Sequence, residues 1–480
     1  MNRMRTWLPI GLALCCWAPA ASAAYVVSNA MSHQVYSNLA AAAAASANND
    51  RLVMIGDETL FATLNMPNHS LTIVSDGNVR TIRGSTNCAY DMIMVAGTNA
   101  TLTLGAPGGS DAAPTLVFDG GRFAGVSNLY DMFYLDLGWL NIHPGVVLRN
   151  LASLDTGPIH NKAGVVDMFG GRIESNLAPY GGGIFNDIGE VRIQGGSITG
   201  NTANVGGGIY NQAVLYYQGF INGYLGKLTM GRGEVSGNAA AQAGGGLYNL
   251  GAAELSGGSI ERNSANYGGG VLQDNGSSTN GMILRGSVVV SGNVAAVAGR
   301  GVYYNNDSFT WLTLAEGARV DPSNDVYMAS NINPLVLSGP LSGRGAAAQV
   351  TPSTYSTNFQ VLGVASASNL WVVSNYYGKF TVTPEGGTNR AWYVGSDGRL
   401  THDNPGLQPP EISSFAATAS ALELGIDPAY VAWDGTVDFA TNLAGRGWNF
   451  QPLPTNLMAV TNGRVVVVPQ VPAAVYRVRR

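Results

Sequence analysis

Between residues 170 and 314 the apolar positions come in short runs, each cut by glycine, and the cuts recur. GGRIESNLAPYGGGIFN begins at Gly170 and GGSITGNTANVGGGIYN at Gly195. RGEVSGNAAAQAGGGLYN begins at Arg232, GGSIERNSANYGGGVLQ at Gly257 and VVVSGNVAAVAGRGVYY at Val288. Each unit carries an asparagine, at Asn176, Asn201, Asn238, Asn263 and Asn293, so the intervals are 25, 37, 25 and 30 residues. Three positions before it stands a β-branched residue: Ile173, Ile198, Val235, Ile260, Val290. Two positions after it stands a small one: Ala178, Ala203, Ala240, Ala265, Ala295. The long intervals are absorbed after the glycine triplet, in 212–229 and 273–284. Insertion at one point of a regular unit is the mark of a solenoid whose loops leave on one side.

The pattern also selects the kind of solenoid. Helical repeats need ten or more residues of 3.6 period without internal glycine, and the triplets forbid that. Short β-rich runs between glycine turns predict a β-coil. Stacked coils repeat at the strand spacing of about 4.8 Å, which lets each asparagine amide donate to one neighbour and accept from the other. Asn176, Asn201, Asn238, Asn263 and Asn293 are therefore expected to form a structural ladder. Asn150, ending GVVLRN, is a candidate for its first rung. The triplets lack a following Gly-Lys-Ser or Gly-Lys-Thr and read as turns rather than phosphate loops.

Outside the repeat the pattern stays β. Asn38 caps a helix-prone stretch, Leu39 to Ala47, which covers the first coil's open end or else forms an alanine-rich linker. Strand signals follow in 51–56, 71–76 and 81–84. AYDMIMVAGTNATLTLG from Ala89 and LYDMFYLDLGWLNIHPG from Leu129 echo one another. After Leu314, strands are expected in 334–341, 359–364, 370–373 and 380–382, with a tight turn at Ser396-Asp397-Gly398. Asn404 to Glu411, with three prolines in eight residues, is a linker. Strand-like runs in 436–439, 457–460, 463–468 and 474–478 end the chain as a separate module or an extra coil.

The SGNxA stretch, the GGG and the aliphatic-aromatic-Asn triplet resemble the repeats of chlamydial polymorphic outer-membrane proteins, within the right-handed parallel β-helix or pectin-lyase-like proteins. The close match covers about a third of the chain. The resemblance implies an all-β fold. It has a right-handed parallel β-helix over 51–404, a helical cap over 24–50, a linker at 405–411 and a small C-terminal β-sandwich-like module over 412–480. The tail is not expected to be a sortase motif, and it is too short for the transporter barrel that the chlamydial proteins carry.

Residues 1–23 read as a secretory signal: Arg3 and Arg5, an apolar core from Trp7 to Trp17, and Ala21-Ser22-Ala23 for cleavage. Its removal takes the formal net charge from −5 to about −7, which argues against nucleic acid as a partner. No later stretch is long and apolar enough to span a bilayer. Cys88 alone of three cysteines remains, so stacking rather than a disulfide must hold the fold.

Candidate chemistry is sparse. Lyases and hydrolases on this fold need carboxylates with arginine or histidine on adjacent coils. The weak catalytic candidates are Asp131, Asp155, His160 and Asp167, with Asp136, Arg149 and Arg172 near in sequence; the competing reading is turn chemistry and a surface histidine. The five histidines are scattered, Asp321 to Asp325 reads as a turn, and neither metal nor cofactor is expected. Phe185, Tyr210, Tyr248 and Tyr303, with Leu272 between, hold one column. Facing outward it is a binding strip for sugar rings or a partner protein; facing inward it is core. The expected function is that of a secreted or cell-surface adhesin that binds a polysaccharide or a surface protein without catalysis. The alternatives are a polysaccharide lyase or glycoside hydrolase, and a self-assembling surface-layer component.

Overall fold

The computed structural model describes residues 25–85, 91–113, 115–122, 130–214, 224–274, 281–307, 310–343, 345–366, 370–386 and 391–404, and strand backbone within 412–479. The signal segment, Cys88 and the linker lie outside the described residues. The described residues between 25 and 404 form a parallel β-solenoid of about ten turns. Three long sheets run its length, with fourteen, ten and twelve strands among the described residues; we call them sheets I, II and III. One turn shows the plan. Glu190–Ile193 lies in sheet I, Ser197–Thr199 in sheet II and Ile209–Asn211 in sheet III. A short fourth sheet, of Thr202–Val205, Ala239–Ala243, Ser264–Tyr267 and Val294–Ala298, bridges II and III in the central turns.

The interior follows from the pleat. Alternate side chains of each strand point inward and meet the same position one turn on. The β-branched column is such a row: Ile173, Ile198, Val235, Ile260 and Val290 are successive partners across sheet II, essentially without solvent contact. Val191, Leu228 and Ala253 do the same in sheet I. Each such aliphatic side chain contributes roughly 1.5–3 kcal/mol by leaving water.

Two amide ladders run beside this core. In the first, Asn201 Nδ2 donates to Asn238 Oδ1 at 3.0 Å and to the Ile198 carbonyl's counterpart one turn back, Ile173 O, at 2.9 Å. Its own Oδ1 accepts from the backbone N–H and Nδ2 of Asn176. The same four-bond pattern continues through Asn263 and Asn293, and Asn324 ends it. Asn150 is not a rung. It has a left-handed backbone, φ 58°, and Leu151 occupies the ladder position, donating its N–H to Asn176 Oδ1. The left-handed place before each ladder position from Leu151 to Asn293 is filled by Asn150, Ser175, Gly200, Gly237, Arg262 and Gly292. The second ladder, in sheet III, runs Asn161, Asn186, Asn211, Asn249 and Gln273, with amide bonds of 2.6–2.8 Å.

The glycine triplets are turns of a specific kind. Their first residues, Gly181, Gly206, Gly244 and Gly268, have positive φ. At the second position no Cβ fits, because one on Gly207 meets the Gly245 carbonyl oxygen of the next turn.

At the N-terminal end the helix is shorter than expected. It spans Leu39–Ala44 (α1), with Asn38 Oδ1 accepting from Ala41 N at 2.7 Å and the Glu58 carboxylate accepting from Leu39 N. The strand Val27–Asn29 pairs antiparallel with both Val35–Tyr36 and Asp50–Met54, finishing the edge of sheet I. At the other end, Leu370–Tyr376 is a helix (α2), not the strand expected over 370–373. Its buried Val372 and Val373 lie against Leu335–Leu341 and Leu362–Val364, the last strands of sheet I. Tyr393–Val394 and Leu400–Thr401 form the hairpin expected around Gly398. Beyond residue 411 the strands pair antiparallel in two sheets: 412–417, 422–426, 464–467 and 458–461 in one, and 451–452, 436–440 and 475–479 in the other.

Candidate functional site

The aromatic column faces outward. Tyr134, His160, Phe185, Tyr210, Tyr248, Leu272, Tyr303 and Tyr327 are successive partners across sheet III, and the rings are half-buried. The strand spacing stacks them on one another. Ring centroids are 5.1 Å apart for Phe185 and Tyr210, 5.0 Å for Tyr210 and Tyr248, and 5.2 Å for Tyr303 and Tyr327, with planes within 30°. Tyr180 and Tyr267 cross against the edges of Tyr210 and Tyr303. The ring faces are thus spent on neighbours. Burial pushes the Tyr210 phenol up to about 12, and Tyr248, which donates to Asp274 Oδ2 at 2.9 Å, is raised further. The rings of this column pack on one another, and sugar stacking needs open faces.

The acidic candidates divide. Asp131 and His160 come together: Asp131 Oδ2 lies 3.3 Å from His160 Nδ1, and its Oδ1 accepts from the Thr156 hydroxyl. Asp131 is almost wholly buried, so both of its oxygens are held internally. Asp155 is exposed in the turn beside them. Asp91 was not among the expected residues, yet it lies against Asp131 from the preceding turn. Burial, then the Asp131 charge, pushes its carboxyl up to about 6. Asp131 is raised as well, chiefly by burial. Burial disfavours the His160 cation, but the bond to Asp131 and the charges of Asp131, Asp187 and Asp155 outweigh it and raise its pKa. The Tyr-Asp-Met echo was the available signal, since Asp91 and Asp131 hold the same place in it.

Asp167 is elsewhere. It faces out of sheet I and takes Arg192 in a bidentate pair at 2.6 Å. Asp136 pairs with Lys162, Arg149 with Asp119 and Arg172 with Glu174, so neither arginine reaches Asp131. Among the described residues no three His, Cys, Asp or Glu side chains are grouped to hold a metal.

A different place offers an open ring. On the outer face of sheet I, Lys227, Thr229, Ala252, Glu254, Gly281, Ile283, Trp311 and Thr313 line a groove of about 450 Å³. Its floor is low because Ala252 and Gly281 stand between the larger side chains. A Cβ on Gly281 has no room beside the Trp311 backbone. Trp311 is 38% exposed along it, the lining continues past Trp311 to Val336 and Ala365, and the Lys227–Glu190 ion pair, 2.9 Å, stands at the opposite end. The two long insertions of the repeat return to sheet I at these strands, Lys227–Met230 and Met282–Leu284. A concave site of this size, with one aromatic wall and a few polar groups, suits a small ligand or a segment of a chain.

The chain matches no protein-family model, no curated protein and no solved structure. Among the described residues no helix is long and apolar enough to cross a membrane.

Proposed function

We propose that this protein is an exported or cell-surface binding solenoid of adhesin type, and that the groove beside Trp311 takes a glycan. The open Trp311 ring over the Ala252–Gly281 floor carries this reading. A sugar's C–H face packs on the negative face of an aromatic ring, and hydroxyls find Thr229, Thr313, Glu254 and Lys227 around it. In the same reading the coil is right-handed and pectin-lyase-like, α1 caps its first turn, and the two sheets after residue 411 pack as a sandwich. Residues 1–23 direct export. The test is a glycan array with the chain lacking 1–23, alongside Trp311→Ala. Glycan binding lost in the variant supports the reading; binding unchanged in the variant moves the site away from the groove.

A polysaccharide lyase or hydrolase is the second reading. The observation in its favour is the Asp91–Asp131 carboxyl pair beside His160, since a carboxyl poised near 6 suits general acid work. Product analysis of any bound glycan decides it. Chain shortening that disappears in Asp91→Asn replaces the binding reading with catalysis.

A further inference from the structure

The groove is one end of a longer strip. Trp139, Val165, Glu190, Lys227 and Ala252 are successive partners across sheet I. Gly281 and Trp311 follow in the same column, because Ala253 pairs with Met282 and Met282 with Leu312. Trp139 and Trp311 therefore stand six strand spacings apart, about 29 Å along the axis at ~4.8 Å per strand. Trp139 is 39% exposed, as open as Trp311, and no other aromatic side chain interrupts the column between them. Its ring is braced: the Arg192 guanidinium carbon lies 5.2 Å from the ring centroid while its nitrogens hold Asp167.

The charges of this face come close to cancelling. Asp167 pairs with Arg192 and Glu190 with Lys227, while Arg285 is shared by Glu254 and Glu316. An acidic polymer finds no excess of cations here, and one extra carboxylate gives a basic one little to hold. A pleated face with an aromatic platform at each end and charges held in ion pairs between them matches an extended, uncharged chain of polar rings.

We infer that the outer face of sheet I binds a linear, uncharged polysaccharide lying along the solenoid axis, with one sugar on Trp139 and another on Trp311. The inference rests on the glycan-binding reading but adds a length, a direction and a charge. A chain shorter than the separation reaches one ring. A chain that spans it engages both, and the second contact is then intramolecular, which multiplies affinity without a new kind of interaction.

The test uses the full chain lacking 1–23 and graded cello- and manno-oligosaccharides, with oligogalacturonates of matching length as the acidic comparison. The expected result is a jump in affinity of about 100-fold once the oligosaccharide exceeds about 29 Å. Trp139→Ala and Trp311→Ala should each remove the jump, returning long chains to the affinity of short ones, and the Phe variants should restore most of it. Unchanged melting curves show that these exposed substitutions leave the fold intact. Loss of the jump in Trp311→Ala only, with Trp139→Ala inert, overturns the two-ring site while leaving a glycan site at the groove. Preference for oligogalacturonate overturns the neutral ligand. No oligosaccharide binding, with capture of a protein instead, overturns this inference and the glycan reading together.

Discussion

At the scale of single residues the ladder asparagines bear more than their size suggests. Asn238 Oδ1 accepts from Asn201 N and Nδ2, and its Nδ2 donates to Ile198 O and Asn263 Oδ1. Asn238→Ala leaves those buried partners unmet, and we expect a loss of about 3 kcal/mol or more in denaturant unfolding, well beyond the cost of the removed contacts alone. The residue before a rung gives the opposite sign. Ser175 is left-handed at φ 59° where most other turns have glycine. Ser175→Gly should stabilise by about 0.5–1 kcal/mol, the relieved strain exceeding the added freedom of the unfolded chain. A third residue sets a pH response. The folded carboxyl of Asp91 titrates near 6, above its unfolded range, so its contribution is complete in acid and is lost as pH rises through about 6. His160, also raised, adds a loss of the same sign above its ordinary range. The melting temperature of the wild type should thus decline across this window, and Asp91→Asn should flatten the lower part of that decline.

At the scale of elements the triplet turns fix how closely the coils approach. Gly207→Ala puts a methyl group into the Gly245 carbonyl oxygen of the next turn, whereas Gly339→Ala points into open space. The first should cost about 3 kcal/mol or more and the second little, a contrast that thermal melts of the pair will show. Elements with a repeating chemical reason are legible in the sequence. The Ile173–Val290 column, the Asn176–Asn293 ladder and the Asn38 cap each rest on a residue type that one geometry requires. The failures have physical causes too. Leu370–Val373 is four apolar residues, too short to separate strand from helix, and its packing across the last strands of sheet I decided for helix. Asn150 has the right residue one place early, because the left-handed position accepts asparagine as readily as the rung does. The Trp139–Trp311 column was invisible because its members share no residue type, and its register crosses both insertions, in 212–229 and 273–284. Outwardness of Phe185 and Tyr210 was one of two open readings; that their faces are filled by each other depends on the strand spacing acting on consecutive coils.

At the scale of the whole molecule the turns behave as units stacked in one direction, each touching only its neighbours. Removing one unit should therefore shorten the solenoid without changing its plan. Deleting 239–263 joins Asn238 to Ser264, which occupies the position that Ala239 holds one turn earlier. It takes out Leu247–Asn249, Ala252–Leu255 and Ser259–Glu261, one strand from each long sheet. The ladder then passes from Asn201 through Asn238 to Asn293, the sheet II core from Val235 to Val290, and the sheet III ladder from Asn211 to Gln273. Arg285 loses Glu254 but keeps Glu316, 3.7 Å away. Trp139 with its Arg192 brace and Trp311 with Gly281 are untouched, but their separation falls from six strand spacings to five. The shortened protein should unfold in a single transition with a smaller denaturant dependence, since less surface is exposed. Its oligosaccharide length threshold should drop by about 4.8 Å. A threshold that stays in place while the fold survives would mean that ligand length is read by something other than the distance between the two rings, because the deletion changes that distance and leaves both rings on the same face.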